Sequence, residues 1–368
     1  DQYDKAADDI ITALGIDGSD KAFYLMRTVM ADSALMTMVS KLKIQQLKEP
    51  SQARWPYYMG IVYEATGNYA KAIENYGKAN SIDFSDMTSN RISECYGELG
   101  DYPMALQYVE EAIAMDPESL RYQLNKANLQ YESGSFSEAI CTIGTCIEAT
   151  PDFSYLYYRK GFYEDNALLI DDAIEDYSTA ILLDPDYYYA YLGRGDMYMK
   201  KGMTKEAMAD YRQVVAKDTV PSTASCAQYA FLALGEKEKA VAYNQRILEA
   251  YPDDKGCHYD AACLYSRMGE AEQALECLRE AFERGFHRFA HLELDDDLEP
   301  LRKTTAYQRM VAEYKARIQY AENPTMKNQE ETISEIPFTK SNGITEVQCN
   351  INGLPLHFVF DTGASDVT

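Results

Sequence analysis

Residues 154–187 read SYLYYRKGFYEDNALLIDDAIEDYSTAILLDPDY, and the spacing of small and aromatic residues in this stretch decides the fold. Tyr157, Gly161 and Glu164 share one helical face before a break, and Ala173, Tyr177 and Ala180 share the face of a second helix after it. The same arrangement recurs along the chain. Alanines stand at Ala72, Ala105, Ala139, Ala173, Ala207, Ala240 and Ala274, at intervals of 33, 34, 34, 34, 33 and 34 residues. Five residues before each stands Gly67, Gly100, Gly134, Leu168, Gly202, Gly235 or Gly269, so a single leucine interrupts the glycines. Proline returns in the same phase at Pro50, Pro117, Pro151, Pro185 and Pro252, with Phe84 and Thr219 in the two remaining places. Three residue classes that share one period define a tandem repeat.

Each copy is predicted to be a helix hairpin. Glycine accommodates the left-handed backbone that ends a helix, and alanine lets the two helices approach closely. Proline after the second helix stops it. One hairpin cannot bury both of its faces, so neighbours must stack into a solenoid with a continuous core. In the copy beginning at Ala53, Tyr63, Gly67, Tyr69, Ala72, Tyr76 and Ala79 carry the small, aromatic and alanine positions. They resemble the tetratricopeptide repeat (TPR) pattern. The resemblance covers residues 53–286 as seven repeats and implies an all-α superhelix.

Outside that array the pattern weakens. Residues 1–52 are expected to form a helical cap and a degenerate repeat, with Met38 where alanine should stand. Residues 287–320 follow Gly285-Phe286 and run through Leu298-Glu299-Pro300-Leu301-Arg302 to a last helix, and they resemble the degenerate closing unit of bacterial TPR chains. Residues 321–336 read as a linker and 337–368 as a separate β segment.

Composition narrows the partners. Fifty-nine Asp and Glu oppose 35 Lys and Arg for a formal charge of −24, which repels phosphate backbones and anionic headgroups, so nucleic acid is excluded as a partner. No run of eighteen apolar residues occurs, so no membrane insertion is expected. Tyrosine is over-represented at 31 residues, an apolar body with a polar tip that suits a wet groove. The eight cysteines form no C-x-x-C pair and are expected to be small core residues. His287 and His291 have the spacing of two helical ligands but lack an intervening glutamate, and Asp295-Asp296-Asp297 lacks the alternation of a calcium loop. No metal and no cofactor are expected, and the aspartate run reads as a solvated acidic turn. Location stays open between cell envelope and cytoplasm, since the chain begins at Asp1.

The TPR resemblance implies that the first helix of each hairpin lines a concave groove that takes a protein or peptide. Its lining positions fall on Tyr57, Asn90, Arg121, Asn128, Tyr131, Tyr155, Tyr158, Phe162, Tyr189, Asp196, Tyr229 and Tyr259, together with Leu124, Asp165, Leu192 and Arg267. The basic set that clamps acidic chaperone tails is absent. The tyrosines admit two readings, a peptide-binding wall of rigid aromatics or ordinary packing between repeats. The run Tyr187-Tyr188-Tyr189 cannot all face one core. Arg159, Arg194 and Arg212 are expected to pair with carboxylates such as Asp176 and Asp210.

Strand grammar replaces helix grammar near the carboxyl end. Ile344 to Ile351 alternates, Asn352-Gly353 signals a tight hairpin, and Leu354 to Phe360 returns before Asp361-Thr362-Gly363-Ala364-Ser365. This composite resembles the first catalytic hairpin of retroviral-type (retropepsin-like) aspartic proteases. The resemblance implies Asp361 as catalytic acid/base, Thr362 as a brace for the paired loop and Gly363 as the residue that lets backbone pass the carboxylate, in an enzyme whose two carboxylates share a proton. The chain stops at Thr368, seven residues after Asp361, so the flap and later strands are missing. The chain as it stands is therefore expected to be inactive. Its parent is expected to continue into a complete aspartic endopeptidase that forms a homodimer through that domain and uses the array to recruit or present its partner. The alternative is a non-enzymatic scaffold with an inert hairpin.

Overall fold

The computed structural model describes residues 32–322 and the strand segments 338–341, 344–351 and 354–361. Residues 1–31 of the expected amino-terminal cap lie outside the described residues, and so do Thr362 and Gly363. Backbone packing divides the chain into two units, residues 1–315 and 316–368.

In the first unit helix α1 (Asp32–Lys48) precedes seven hairpins: α2 (Arg54–Ala65) with α3 (Tyr69–Ile82), α4 (Asp86–Glu98) with α5 (Tyr102–Met115), α6 (Leu120–Glu132) with α7 (Phe136–Ala149), α8 (Ser154–Asn166) with α9 (Ile170–Leu183), α10 (Tyr188–Lys200) with α11 (Thr204–Lys217), α12 (Ala227–Ala233) with α13 (Lys237–Ala250), and α14 (Lys255–Arg267) with α15 (Ala271–Glu283). A closing segment follows, with α16 (Phe289–Leu294), a 3-10 turn at Asp296–Leu298, α17 (Glu299–Arg302) and the longer α18 (Thr305–Glu322).

The periodic residues occupy the places their chemistry requires. All seven repeat alanines are fully buried. The six repeat glycines have φ between 72° and 80°, and Leu168 holds the same place at φ 61°. At the first turn the amide of Gly67 donates to the carbonyl of Glu64 and that of Asn68 to Tyr63, which caps α2 from its C-terminal end. A second small position fits a tyrosine from the partner helix. A Cβ on Gly60 would stand 2.5 Å from the Tyr76 ring, and one on Gly195 would stand 2.7 Å from the Tyr211 ring. The aromatic of the second helix therefore fills the notch that glycine leaves in the first. Buried side chains form a row of small clusters shared between consecutive hairpins, such as Ala127, Tyr131, Ala139, Ile143, Cys146, Leu156 and Tyr163. No single centre holds the array together.

The sixth hairpin departs from the rule. Its first helix has only seven residues, and residues 218–226 before it are irregular. Buried Asp218 organises this stretch: its carboxylate accepts from the amides of Cys226 (2.7 Å) and Ala227 (2.8 Å) and from the hydroxyls of Ser225 (3.0 Å) and Tyr243 (2.8 Å).

In the second unit β1 (Phe338–Ser341), β2 (Ile344–Ile351) and β3 (Leu354–Asp361) form an antiparallel meander in the order β1-β2-β3. The β2–β3 register runs from Ile351 opposite Leu354 to Ile344 opposite Asp361. Such a three-stranded meander occurs in many unrelated folds, so it does not by itself assign the segment to a protease lobe.

Candidate functional site

The inner side of the array is not an empty trough. The closing segment and α14 meet the start of α3 and the end of α6, bridging residues far apart in sequence. Lys255 Nζ lies 3.5 Å from the Tyr69 hydroxyl and donates to the Gly285 carbonyl at 3.2 Å. The His287 ring meets Tyr69 edge-on at 6.4 Å, and Arg288 pairs with buried Glu132. Further along, the hydroxyl of Tyr259 and the thiol of Cys263 both donate to the Asp295 carboxylate. The open groove implied by the resemblance is thus corrected: part of it is filled by residues 285–297, and two cavities remain beside them.

The first cavity, about 700 Å³, is bounded by α2, α4, α6, Lys255 and Arg288, with Glu64, Glu94, Glu98 and Glu132 facing Arg121 and Asn128. The second, about 720 Å³, lies between α6, α8, α10, α12, α14 and the closing segment. Arg121 and Asn128 line the first, and Tyr131, Tyr158, Phe162, Tyr189, Asp196, Tyr229 and Tyr259 line the second, with Asp165, Leu192 and Arg267 beside them. Tyr57, Asn90 and Tyr155 line neither. Tyr57 packs edge-on against Tyr58 in the core, and fully buried Asn90 bonds Glu94 and Asn125. Tyr155 stacks obliquely on Phe153 and Tyr158.

The tyrosine wall serves both packing and lining. Tyr158 lies at the centre, with ring centres of Tyr187 at 5.2 Å, Tyr189 at 5.8 Å and Tyr177 at 6.0 Å. The Tyr187-Tyr188-Tyr189 run divides accordingly: Tyr187 and Tyr189 turn toward Tyr158, while Tyr188 and Tyr189 direct their hydroxyls to the Ala224 carbonyl. Burial pushes the Tyr158 hydroxyl up to about 12, so it remains a neutral donor at physiological pH.

Arg194 makes the expected paired contact with Asp210, two bonds of 2.8 Å. Arg159 does not. It bonds Asn128 and the Tyr163 hydroxyl, because Asp176 is already held by Lys160 at 2.5 Å.

Six carboxylates, Asp165, Asp196, Asp260, Asp295, Asp296 and Asp297, line the second cavity against two cationic side chains, Lys200 and Arg267. Lys200 pairs with Asp165, and Arg267 lies 3.7 Å from Asp297 and over the Tyr229 ring at 5.5 Å. Tyr211 donates to Asp196 at 2.6 Å. Among the described residues no hydrogen bond or ion pair reaches the carboxylate of Asp260; only its backbone carbonyl is engaged, by the Tyr229 hydroxyl at 2.8 Å. Burial and the negative charges of Asp295, Asp254 and Asp297 push Asp260 up to about 8. Burial and neighbouring aspartates bring Asp297 to about 7 despite Arg267. His291 is driven the other way, to about 4, by burial and by Arg288, so it is neutral and adds no positive charge. The Asp295-Asp296-Asp297 run lies at the rim of the cavity, Asp296 exposed to solvent and Asp295 and Asp297 half-buried against its wall. The carboxylate oxygens of Asp295 and Asp297 and the Cys263 sulfur lie within 4.8 Å of one another. Burial and these acids hold that thiol well above its ordinary range. The seven described cysteines are free, five of them buried as expected, while Cys141 is exposed and Cys277 half-buried.

The comparisons agree with the hairpins. Family models described as tetratricopeptide repeat match residues 57–86, 96–145, 189–218 and 256–284, and one described as TPR repeat matches 170–202. The chain carries tetratricopeptide repeats. None of these matches extends into residues 338–361. A curated chloroplast protein of Arabidopsis thaliana is 28% identical over 83 residues, 22% of this chain. The match spans a quarter of that relative's length. Among solved structures, MamA from Desulfovibrio magneticus RS-1 has 18% identity and a TM-score of 0.41, covering 45% of this chain and 93% of its own. YrrB, titled a TPR protein with an unusual peptide-binding site, has 13% identity and a TM-score of 0.40, covering 55% of this chain and 97% of its own. Among the described residues no helix of the TPR chain is long and apolar enough to cross a membrane.

Beside the residues at TPR lining positions stand Asp260 and residues contributed by the closing segment, which no repeat position marks. Asp260 stands beside a lining tyrosine at a position outside the repeat rule, and Arg288 and His291 belong to no regular hairpin. The one available signal for Asp218 was the missing proline at Thr219, which marks where the repeat becomes irregular.

Proposed function

We propose that this chain is a protein-interaction module whose inner face receives a segment of a partner protein along the tyrosine wall from Tyr158 to Tyr229. The observation that carries this reading is the second cavity: as large as a small-molecule pocket, lined by rigid aromatics and bounded by several consecutive first helices. Half-buried aromatic rings with few rotatable bonds supply contact area at small entropic cost. Selection of peptides from a displayed library on the 368-residue chain tests it. Selected peptides are expected to lose at least about tenfold in affinity on Phe162→Ala or Tyr189→Ala, roughly 1.4 kcal/mol. Peptides that bind both variants as tightly as the parent chain would place the contact elsewhere.

A second reading adds chemistry to recruitment. The Asp361 that resembles a protease acid stands at the end of β3, opposite Ile344 in an antiparallel pair. In this reading the array presents its partner to an aspartic endopeptidase in a longer protein, and cleavage there that survives Asp361→Asn would refute it.

A further inference from the structure

We infer that the second cavity accepts the basic side chain of the partner segment, an arginine or lysine, at the carboxylate of Asp260. This deepens the proposed function and rests on the reading that the inner face receives a protein segment.

The argument starts from charge balance. Carboxylates outnumber cationic side chains on the wall by six to two, and both cations are already engaged, Lys200 by Asp165 and Arg267 by Asp297. Two other acids have donors of their own, Tyr211 for Asp196 and Tyr259 with Cys263 for Asp295, while Asp296 is exposed to solvent. Asp260 is left facing the cavity with no donor to its carboxylate among the described residues, in a space large enough to hold a guest. Asp260 is half-buried at the cavity wall with no such donor to its carboxyl, and an incoming ammonium or guanidinium displaces its proton and supplies both the charge and the hydrogen bonds.

The walls suit the same guest. Tyr229 already carries the Arg267 guanidinium over its ring at 5.5 Å, so the surface presents aromatic faces to cations. Tyr229 also fixes the Asp260 backbone through its hydroxyl, while Tyr259 stacks on Phe286 at 4.3 Å, which holds the site between α14 and the closing segment. An apolar stem lies along tyrosine rings as its charged end reaches the carboxylate. An acidic segment would meet an excess of carboxylates along this wall.

The test uses three fluorescein-labelled nonapeptides of alternating serine with arginine, glutamate or norleucine, and agmatine alone as a free cation. Affinities are measured on the whole chain and on Asp260→Asn at physiological salt. Asn keeps the shape, and Asp260 has no side-chain partner to lose, so the variant is expected to fold; its melting curve checks this. The arginine peptide should bind at least about tenfold more tightly than the other two, and that preference should fall to within about twofold in Asp260→Asn. General attraction to a chain of charge −24 would barely notice one charge fewer, so it cannot mimic that loss. Peptides that bind regardless of charge, or an arginine preference that persists in Asp260→Asn, would overturn the inference while leaving the peptide-binding reading intact. Agmatine binding that disappears in Asp260→Asn, with no peptide bound at all, would support the cation site and overturn the peptide reading.

Discussion

Replacing Asp218 by alanine should break the array at one seam. The carboxylate is 4% exposed and is the acceptor for two backbone amides, Cys226 at 2.7 Å and Ala227 at 2.8 Å, and for two hydroxyls. The hydroxyls have alternatives: Tyr243 lies 3.0 Å from the Asp218 carbonyl and Ser225 lies 3.4 Å from that of Val220. The amides have none, and each buried donor left without a partner costs about 1–3 kcal/mol. Water entering the space of the lost carboxyl recovers part of this, so Asp218→Ala is expected to cost about 3 kcal/mol. Asp218→Asn keeps an oxygen for the amides and is expected to cost about 1 kcal/mol. In a stack stabilised by nearest-neighbour contacts the deficit should stay local. The single tryptophan, Trp55 in α2, is buried several hairpins away from the seam, so its fluorescence reports the amino-terminal end of the array. Urea titration followed by circular dichroism should show early loss of part of the helical signal, while the Trp55 midpoint moves little. A cost below about 0.5 kcal/mol for Asp218→Ala would refute the reasoning, since it would mean that those amides find other acceptors freely.

Two further outcomes follow from other parts of the array. Leu168 occupies the left-handed turn position at φ 61° with its side chain 74% exposed, so Leu168→Gly relieves about 1–2 kcal/mol of steric conflict while losing part of it to chain entropy; a net gain of about 0.5–1 kcal/mol in urea denaturation is expected, and a loss would show that the turn is not strained. Because Asp260 is raised in the folded chain to about 8, folding favours its protonated form: that contribution is whole below the unfolded value near 4 and is lost as pH rises through about 8. The parent chain should therefore lose more stability between about pH 5.5 and 9 than Asp260→Asn, by on the order of 2 kcal/mol, and parallel pH profiles for the two would refute the assignment.

The period of the sequence settled the hairpins, their turns and their alanine contacts, because each of these depends on residues within a single copy or its immediate neighbour. Gly67 and Leu168 hold equivalent turns for that reason, and Ala72 to Ala274 are buried alike. On the same ground Tyr158, Tyr189 and Tyr229 could be assigned to the first helices of their hairpins, where they line one cavity. Only the tertiary structure decided what meets what across the array. Tyr69 and Lys255 are 186 residues apart, and their approach depends on small rotations accumulated over every intervening hairpin. No local pattern records such a sum. For the same reason Asp295-Asp296-Asp297, polar and adjacent in sequence, gave no sign that it would stand at the same cavity as Asp260.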